Sequence, residues 1–129
     1  MKIYTSYFSN MREINKQGII PINIALWPPR FFAGKSIRYV APTKSILKDT
    51  KSDEEYIRRY KAEILAALNI KKLLLDIEEI SGGKDVALLC YEKPGELCHR
   101  HLLAEYMNEQ GCDVHELEKI SLQLDIDFK

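Results

Sequence analysis

The sequence predicts a single α/β domain spanning residues 1–129, with a mostly parallel sheet of four to five strands flanked by helices on both faces. Two observations predict it. Short apolar runs at 2–8, 19–26 and 85–91 alternate with segments of helical periodicity, the pattern of strands joined by helical crossovers. The length of 129 residues also suits one domain, able to bury roughly two-thirds of its unfolded surface.

The elements follow in order. Lys2 to Phe8 is rich in aromatic and β-branched residues and reads as a first strand. Ser9-Asn10 then caps a short helix over Met11 to Gln17, ended by Gly18. Ile19 to Leu26 is apolar enough for a second, mostly buried strand, with Pro21 tolerable only near its start. The paired prolines of Trp27-Pro28-Pro29-Arg30-Phe31-Phe32 lack amide donors, so this stretch becomes a stiff aromatic loop at a strand's carboxyl end. Within 35–51 a short strand at Ile37 to Val40 and a short helix after Pro42 are expected.

The strongest helical signal starts at Ser52. An acidic first turn, Asp53-Glu54-Glu55, suits the helix dipole, and Ile57, Tyr60, Ile64, Leu65 and Leu68 recur at three-to-four spacing. A second helix carries Leu73, Leu74, Ile77 and Ile80 and stops at Gly82-Gly83. Asp85 to Tyr91 is the next strand, Pro94-Gly95 a turn, and Glu96 onward a helix with Leu102, Leu103, Tyr106 and Met107 on its apolar face. Cys112 to Leu117 suits a last short strand.

Bulk composition narrows the function. The 19 basic and 19 acidic residues cancel, so no overall field draws the chain to nucleic acid or to an anionic membrane, and any nucleic-acid contact must be local. The N-terminus has no long apolar core and no stretch approaches 18 apolar residues, so neither a signal peptide nor a membrane span is expected and a cytoplasmic location is. Three cysteines, an odd number without an export signal, argue for reduced thiols over a disulfide framework.

The chemistry-bearing residue types concentrate in the segment from Val86 to His101. Its apolar run reads as a central strand, which puts the polar cluster at a strand's carboxyl end, where open α/β sheets bind ligands. Cys98 falls within about the first turn of the following helix, where unpaired amides favour an anion and a thiol ionises more easily. His99 titrates near neutrality and serves as acid or base. Arg100 adds a donor fork fitted to phosphate or carboxylate, and its outward direction is expected. Glu92 lies two residues after Cys90, facing the same way, as a general base or hydrogen-bond acceptor.

If the sheet is parallel, two other strand ends converge on this edge. They bring Tyr7 and Trp27 as walls for a flat ring and Arg30 as a second cation. The bland alternatives are specific. Cys90 reads as a small core residue, Trp27, Phe31 and Phe32 as core aromatics, and His101 and His115 as surface or capping histidines. A zinc site using Cys90, Cys98 and His99 or His101 is the metal alternative. The chain lacks a second paired-ligand cluster and Cys112 is remote, so no metal is expected, and no cofactor.

The stretch Leu88-Leu-Cys-Tyr-Glu-Lys-Pro through Cys98-His-Arg resembles the signature of domain-of-unknown-function family 488, small bacterial, archaeal and phage proteins with a Leu-Leu-Cys-x-Glu-Lys and Cys-His-Arg pair. Tyr4-Thr5, the Trp27-Pro-Pro-Arg30-Phe block and Tyr56 with Tyr60 support it across most of the chain. Many relatives carry Asp-Val-Arg at the end of the second strand, where this chain has Ala25-Leu26-Trp27, with Arg30 as the candidate substitute. The resemblance implies a site on Glu92, Cys98, His99 and Arg100 and fixes no reaction. The expected function is that of an enzyme-like protein acting on an anionic, nucleotide-like or nucleic-acid-derived compound. Its rivals are a non-catalytic module that holds an anion or a partner's carboxylate, and a structural cluster in which Arg100 bonds Glu92.

Overall fold

The computed structural model describes residues 1–91 and 98–117. Five strands, β1 (Ile3–Tyr7), β2 (Ile20–Asn23), β3 (Lys35–Ser36), β4 (Val86–Cys90) and β5 (Val114–Glu116), form one sheet in the order β3-β2-β4-β1-β5. Every pairing is parallel, with Tyr7 opposite Cys90 and Asn23 opposite Leu89. The helices packed against it are α1 (Met11–Lys16), α2 (Lys44–Asp49), α3 (Asp53–Glu63), α4 (Ile70–Ser81) and α5 (His99–Glu109). None is long and apolar enough to cross a membrane.

Alternation along the fully buried β4 assigns the two faces of the sheet. Val86 and Leu88 pack with Tyr60 of α3, Leu73 and Ile77 of α4, and Leu103 and Met107 of α5. Ala87 and Leu89 pack on the other side with Phe8, Ile14 of α1 and Ile19. A strand buried on both faces reads as a continuous apolar run, which is why Val86-Ala-Leu-Leu is apolar throughout. Neighbouring strands β1 and β4 therefore send their following helices, α1 and α5, to opposite faces. That divergence opens a crevice beyond the carboxyl ends of the strands, the place where such sheets bind ligands.

Local chemistry accounts for the boundaries. The Thr43, Ser52 and Asn69 side chains each accept an amide at the start of α2, α3 and α4, and Gly82 closes α4 in the left-handed conformation at φ 64°. Pro21 sits inside a strand with neighbours on both sides, yet β3 pairs with β2 only from Ile22 onward. Ile20 directs its amide to Asp85, just before β4, and Ile24 directs its amide to Leu89 of β4, so the missing Pro21 donor falls on the side where no ladder bond is due. The expected strand at Ile37 to Val40 is corrected. Lys35–Ser36 pairs instead, and Arg38–Val40 forms a 3-10 turn that brings Ile37 and Val40, three apart, into the same core.

The 24–34 loop also departs from expectation. Trp27 is 53% exposed and Phe31 66%, because the two prolines turn the chain outward instead of folding these rings into the core. Phe32 does pack inward, edge-on to Phe8 at 5.5 Å between ring centroids. The expected turn at Pro94-Gly95, the helix start at Glu96 and the C-terminal tail from 118 lie outside the described residues.

Candidate functional site

The site is built where the end of β4, the bend after β2 and the N-terminus of α5 meet. Asn23 shapes the bend. Its side chain accepts the Ala25 amide at 2.9 Å and donates to the Ala25 carbonyl at 3.0 Å, holding a tight turn of chain just past the strand. The turn presents the Ile24 carbonyl to His99, whose Nε2 lies 2.6 Å from it. A carbonyl only accepts, so Nε2 carries the hydrogen and the lone pair sits on Nδ1. Nδ1 is 3.8 Å from Cys98 Sγ. Burial, then the neighbouring Arg100 charge, pushes the His99 pKa down to about 4, against the opposing pull of the Ile24 carbonyl. The expectation that His99 titrates near neutrality is thereby corrected: the imidazole is neutral at physiological pH because it is desolvated.

Cys98 is the extended residue immediately before α5, one position short of the expected first turn, and is 1% exposed. Its sulfur is joined to that of Cys90, the last residue of β4, with the Cα atoms 7.3 Å apart. The fold brings a strand end and a helix cap together only eight residues apart in sequence, at a Cα separation wider than the about 4.4–6.8 Å usual for a disulfide, and Cys112 stands apart from the pair.

Arg100 is corrected in direction. The outward anion-binding guanidinium of the sequence reading is fully buried. Nη2 and Nε donate to the two carboxylate oxygens of Glu116 on β5, each at 3.1 Å, and Nη1 donates to Cys90 Sγ at 3.0 Å. Thr5 on β1 donates to the same Glu116 carboxylate at 2.7 Å. The guanidinium also lies 5.7 Å from the centre of the Tyr7 ring, which is buried beside it. Tyr7 and Arg100 are thus brought together beneath the site.

A cavity of about 220 Å³ opens beside this cluster, lined at its base by Cys90, His99 and Ala25 and on its walls by Trp27, Tyr56 and Tyr91. Tyr91 is 49% exposed at the rim and its hydroxyl donates to the Trp27 carbonyl, which ties the two aromatic walls together. Behind His99, Tyr60 is fully buried, its ring 5.6 Å from the imidazole, and its hydroxyl donates to the Val40 carbonyl at 2.6 Å. Of the expected site residues, Trp27 and His99 line this cavity, while Cys98 lies behind it, joined to Cys90. Arg30 is exposed in the 24–34 loop and is not among the lining residues. Glu92 lies outside the described residues.

A family model described as the active DUF488-N3 subclade matches residues 8–111. The chain belongs to the DUF488 family. Comparison with the curated proteins and with the solved structures found no match. The match covers β2, β4, the Cys-His-Arg start of α5 and the aromatic loop, so the buried Cys/His cluster near the strand ends is part of the DUF488 domain.

Four site components escaped the sequence reading of this DUF488 chain: Asn23, Tyr56, Tyr91 and Glu116. Asn23 carried a usable signal, a single amide within Ile-Ile-Pro-Ile-Asn-Ile-Ala, because a polar side chain in a buried strand must find partners. Glu116 carried none, because its place beside β1 is set by the strand order. Tyr56 enters only as part of the family resemblance, with no sign that it lines a cavity, and Tyr91 has no signal separating it from ordinary surface aromatics.

Proposed function

We propose that this DUF488 protein is an enzyme acting on a planar, anionic, nucleotide-like or nucleic-acid-derived compound whose ring enters the cavity at the strand ends. The observation that carries the reading is a neutral, fixed-tautomer His99 next to two cysteine sulfurs at the base of an aromatic-walled cavity. The family description as an active subclade supports catalysis over passive binding. A volume of about 220 Å³ is smaller than the roughly 300–1,000 Å³ of drug-sized sites. One ring system therefore fits between Trp27, Tyr56 and Tyr91, and the charged part of the ligand stays at the mouth, where Arg30 is the candidate cation. Arg100 acts from behind, through Cys90, in place of the direct ligand contact its residue type suggests.

The chemistry is assigned to the centre formed by Cys98 and His99, with Glu92 as acid–base partner. In the reduced protein the Nδ1 lone pair of His99 faces the Cys98 thiol, the geometry in which an imidazole takes a thiol proton. The test is a thermal-shift screen of nucleobases, nucleotides and sugar phosphates against wild type, Trp27→Ala and His99→Gln. Ring-bearing anions should raise the wild-type midpoint and lose that effect in Trp27→Ala. Stabilisation by sugar phosphates alone, or an unchanged response in Trp27→Ala, would reject the ring-in-cavity reading.

A further inference from the structure

We infer that Cys90, Cys98 and His99 form a metal centre, and that the reduced protein binds one zinc ion there with a coordination position open to the cavity. The three donor atoms, two Sγ and one imidazole nitrogen, lie within 4.8 Å of one another and all three residues are buried. Two thiolates and one imidazole are a donor set that zinc uses in catalytic sites, with three protein ligands and the fourth position left to water or substrate. Soft sulfur with nitrogen also disfavours magnesium and calcium, which prefer oxygen.

Independent features support the assignment. His99 donates its Nε2–H to the Ile24 carbonyl at 2.6 Å, and Asn23 in turn fixes the bend that supplies that carbonyl. Metal-binding histidines almost always have such a partner, which fixes the tautomer and points the free lone pair at the ion. Arg100 places a buried cationic donor 3.0 Å from Cys90 Sγ, a hydrogen bond whose strength grows when the sulfur is a thiolate. The two thiolates match the charge of the divalent ion, and Arg100 is paired with Glu116. The Cα atoms of the cysteines stand 7.3 Å apart, a separation that two thiolates converging on one ion accommodate. Cys90 and His99 line the cavity, so the open position faces it.

The joined and metal-bound forms are two states of the same sulfurs. A water-soluble phosphine takes the disulfide to two thiols and is itself oxidised to its oxide, with the oxygen from water and the water protons ending on sulfur. Zinc uptake then releases both thiol protons. The inference rests on the proposed function for its cavity, and in the occupied site the Cys98 sulfur and the His99 Nδ1 lone pair hold the ion in place of the free thiol–imidazole pair.

The experiment uses the full chain, reduced with phosphine, stripped with a chelator and titrated anaerobically with cobalt(II) alone, then with zinc. One cobalt per chain is expected, with a thiolate-to-cobalt charge-transfer band and the intense visible bands of tetrahedral geometry, all displaced by zinc. Cys112→Ser should behave as wild type. Cys98→Ser should lose the tight site, weakening binding by more than the about 10–100-fold that loss of a supporting hydrogen bond costs. Should that variant not fold, zinc protection of wild-type cysteines from alkylation decides: Cys90 and Cys98 protected with Cys112 reactive supports the centre, and equal reactivity of all three overturns it. Absence of the charge-transfer band in reduced wild type, or its loss in Cys112→Ser, also overturns it. A nucleotide-induced thermal shift in protein that binds no metal would sink this inference and leave the proposed function standing.

Discussion

Replacing Arg100 by alanine tests the buried network more sharply than any other single change. The guanidinium is fully buried, donates to Glu116 and Cys90 among the described residues, and packs over Tyr7. Breaking a buried ion pair by removing one member costs about 3–5 kcal/mol, because the remaining charge is desolvated without its partner. The Glu116 side chain is 28% exposed and can regain water, which places the loss near the lower end, about 3 kcal/mol. At roughly 3–5 °C per kcal/mol for a chain of this size, the melting midpoint should fall by about 10–15 °C. Arg100→Lys should recover little, since a single ammonium cannot reproduce the fork on Glu116 and reach Cys90 as well. Arg59→Ala is the control: its partner Glu63 is an exposed neighbour one helical turn away, and the midpoint should barely move. All variants are compared by thermal and urea denaturation at fixed redox state. An Arg100→Ala midpoint within a couple of degrees of wild type would refute the buried network, whatever ligand the protein binds.

Other outcomes follow from the same structure. The pKa of His99 is lowered on folding from 6.5 to about 4, so between those values the unfolded chain holds the proton that the folded chain refuses. The His99 contribution is therefore fully present above about pH 6.5 and is lost as pH falls toward 4, by about 3 kcal/mol in all. In the metal-free protein the acid loss of stability between pH 7 and 4.5 should shrink by about 2 kcal/mol in His99→Gln, read from urea midpoints. Tyr60→Phe removes the donor to the buried Val40 carbonyl and should cost about 1–3 kcal/mol, checked by urea denaturation with unchanged circular dichroism. Asn23→Ala removes both bonds that hold the Ala25 bend and should cost about 1–3 kcal/mol, while histidine nuclear magnetic resonance reports loss of the fixed His99 tautomer.

The architecture was legible because a parallel sheet announces itself twice, through uninterrupted apolar strands and through the long crossovers between them. Val86 to Cys90, buried at every position, is such a strand, and the capped α3 and α4 carry the helical spacing of their connection. The short β3 was misplaced because two residues have no periodicity of their own. Its existence is set by Asn23 and its neighbours reaching across from β2. The position of the site was legible for the same reason as the fold, since polar residues after an apolar run must lie at the strand's carboxyl end. The internal arrangement was not. Whether Arg100 faces ligand or core depends on Glu116, sixteen residues away on an edge strand, and the local sequence holds no trace of that pairing. Which aromatic residues wall the cavity likewise depends on where the prolines at 28 and 29 direct the loop.

A ring-bearing ligand entering the cavity above His99 would meet Trp27, the single tryptophan of the chain, which reports on it directly. Its emission should be quenched saturably by an anionic compound carrying a nucleobase-like ring, with the same midpoint as the thermal shift, and Tyr56→Ala should weaken that midpoint while leaving the fold intact. Tight binding of such a compound, seen by calorimetry without any change in Trp27 emission, would put the ligand outside the cavity above His99 and rule out the proposed site.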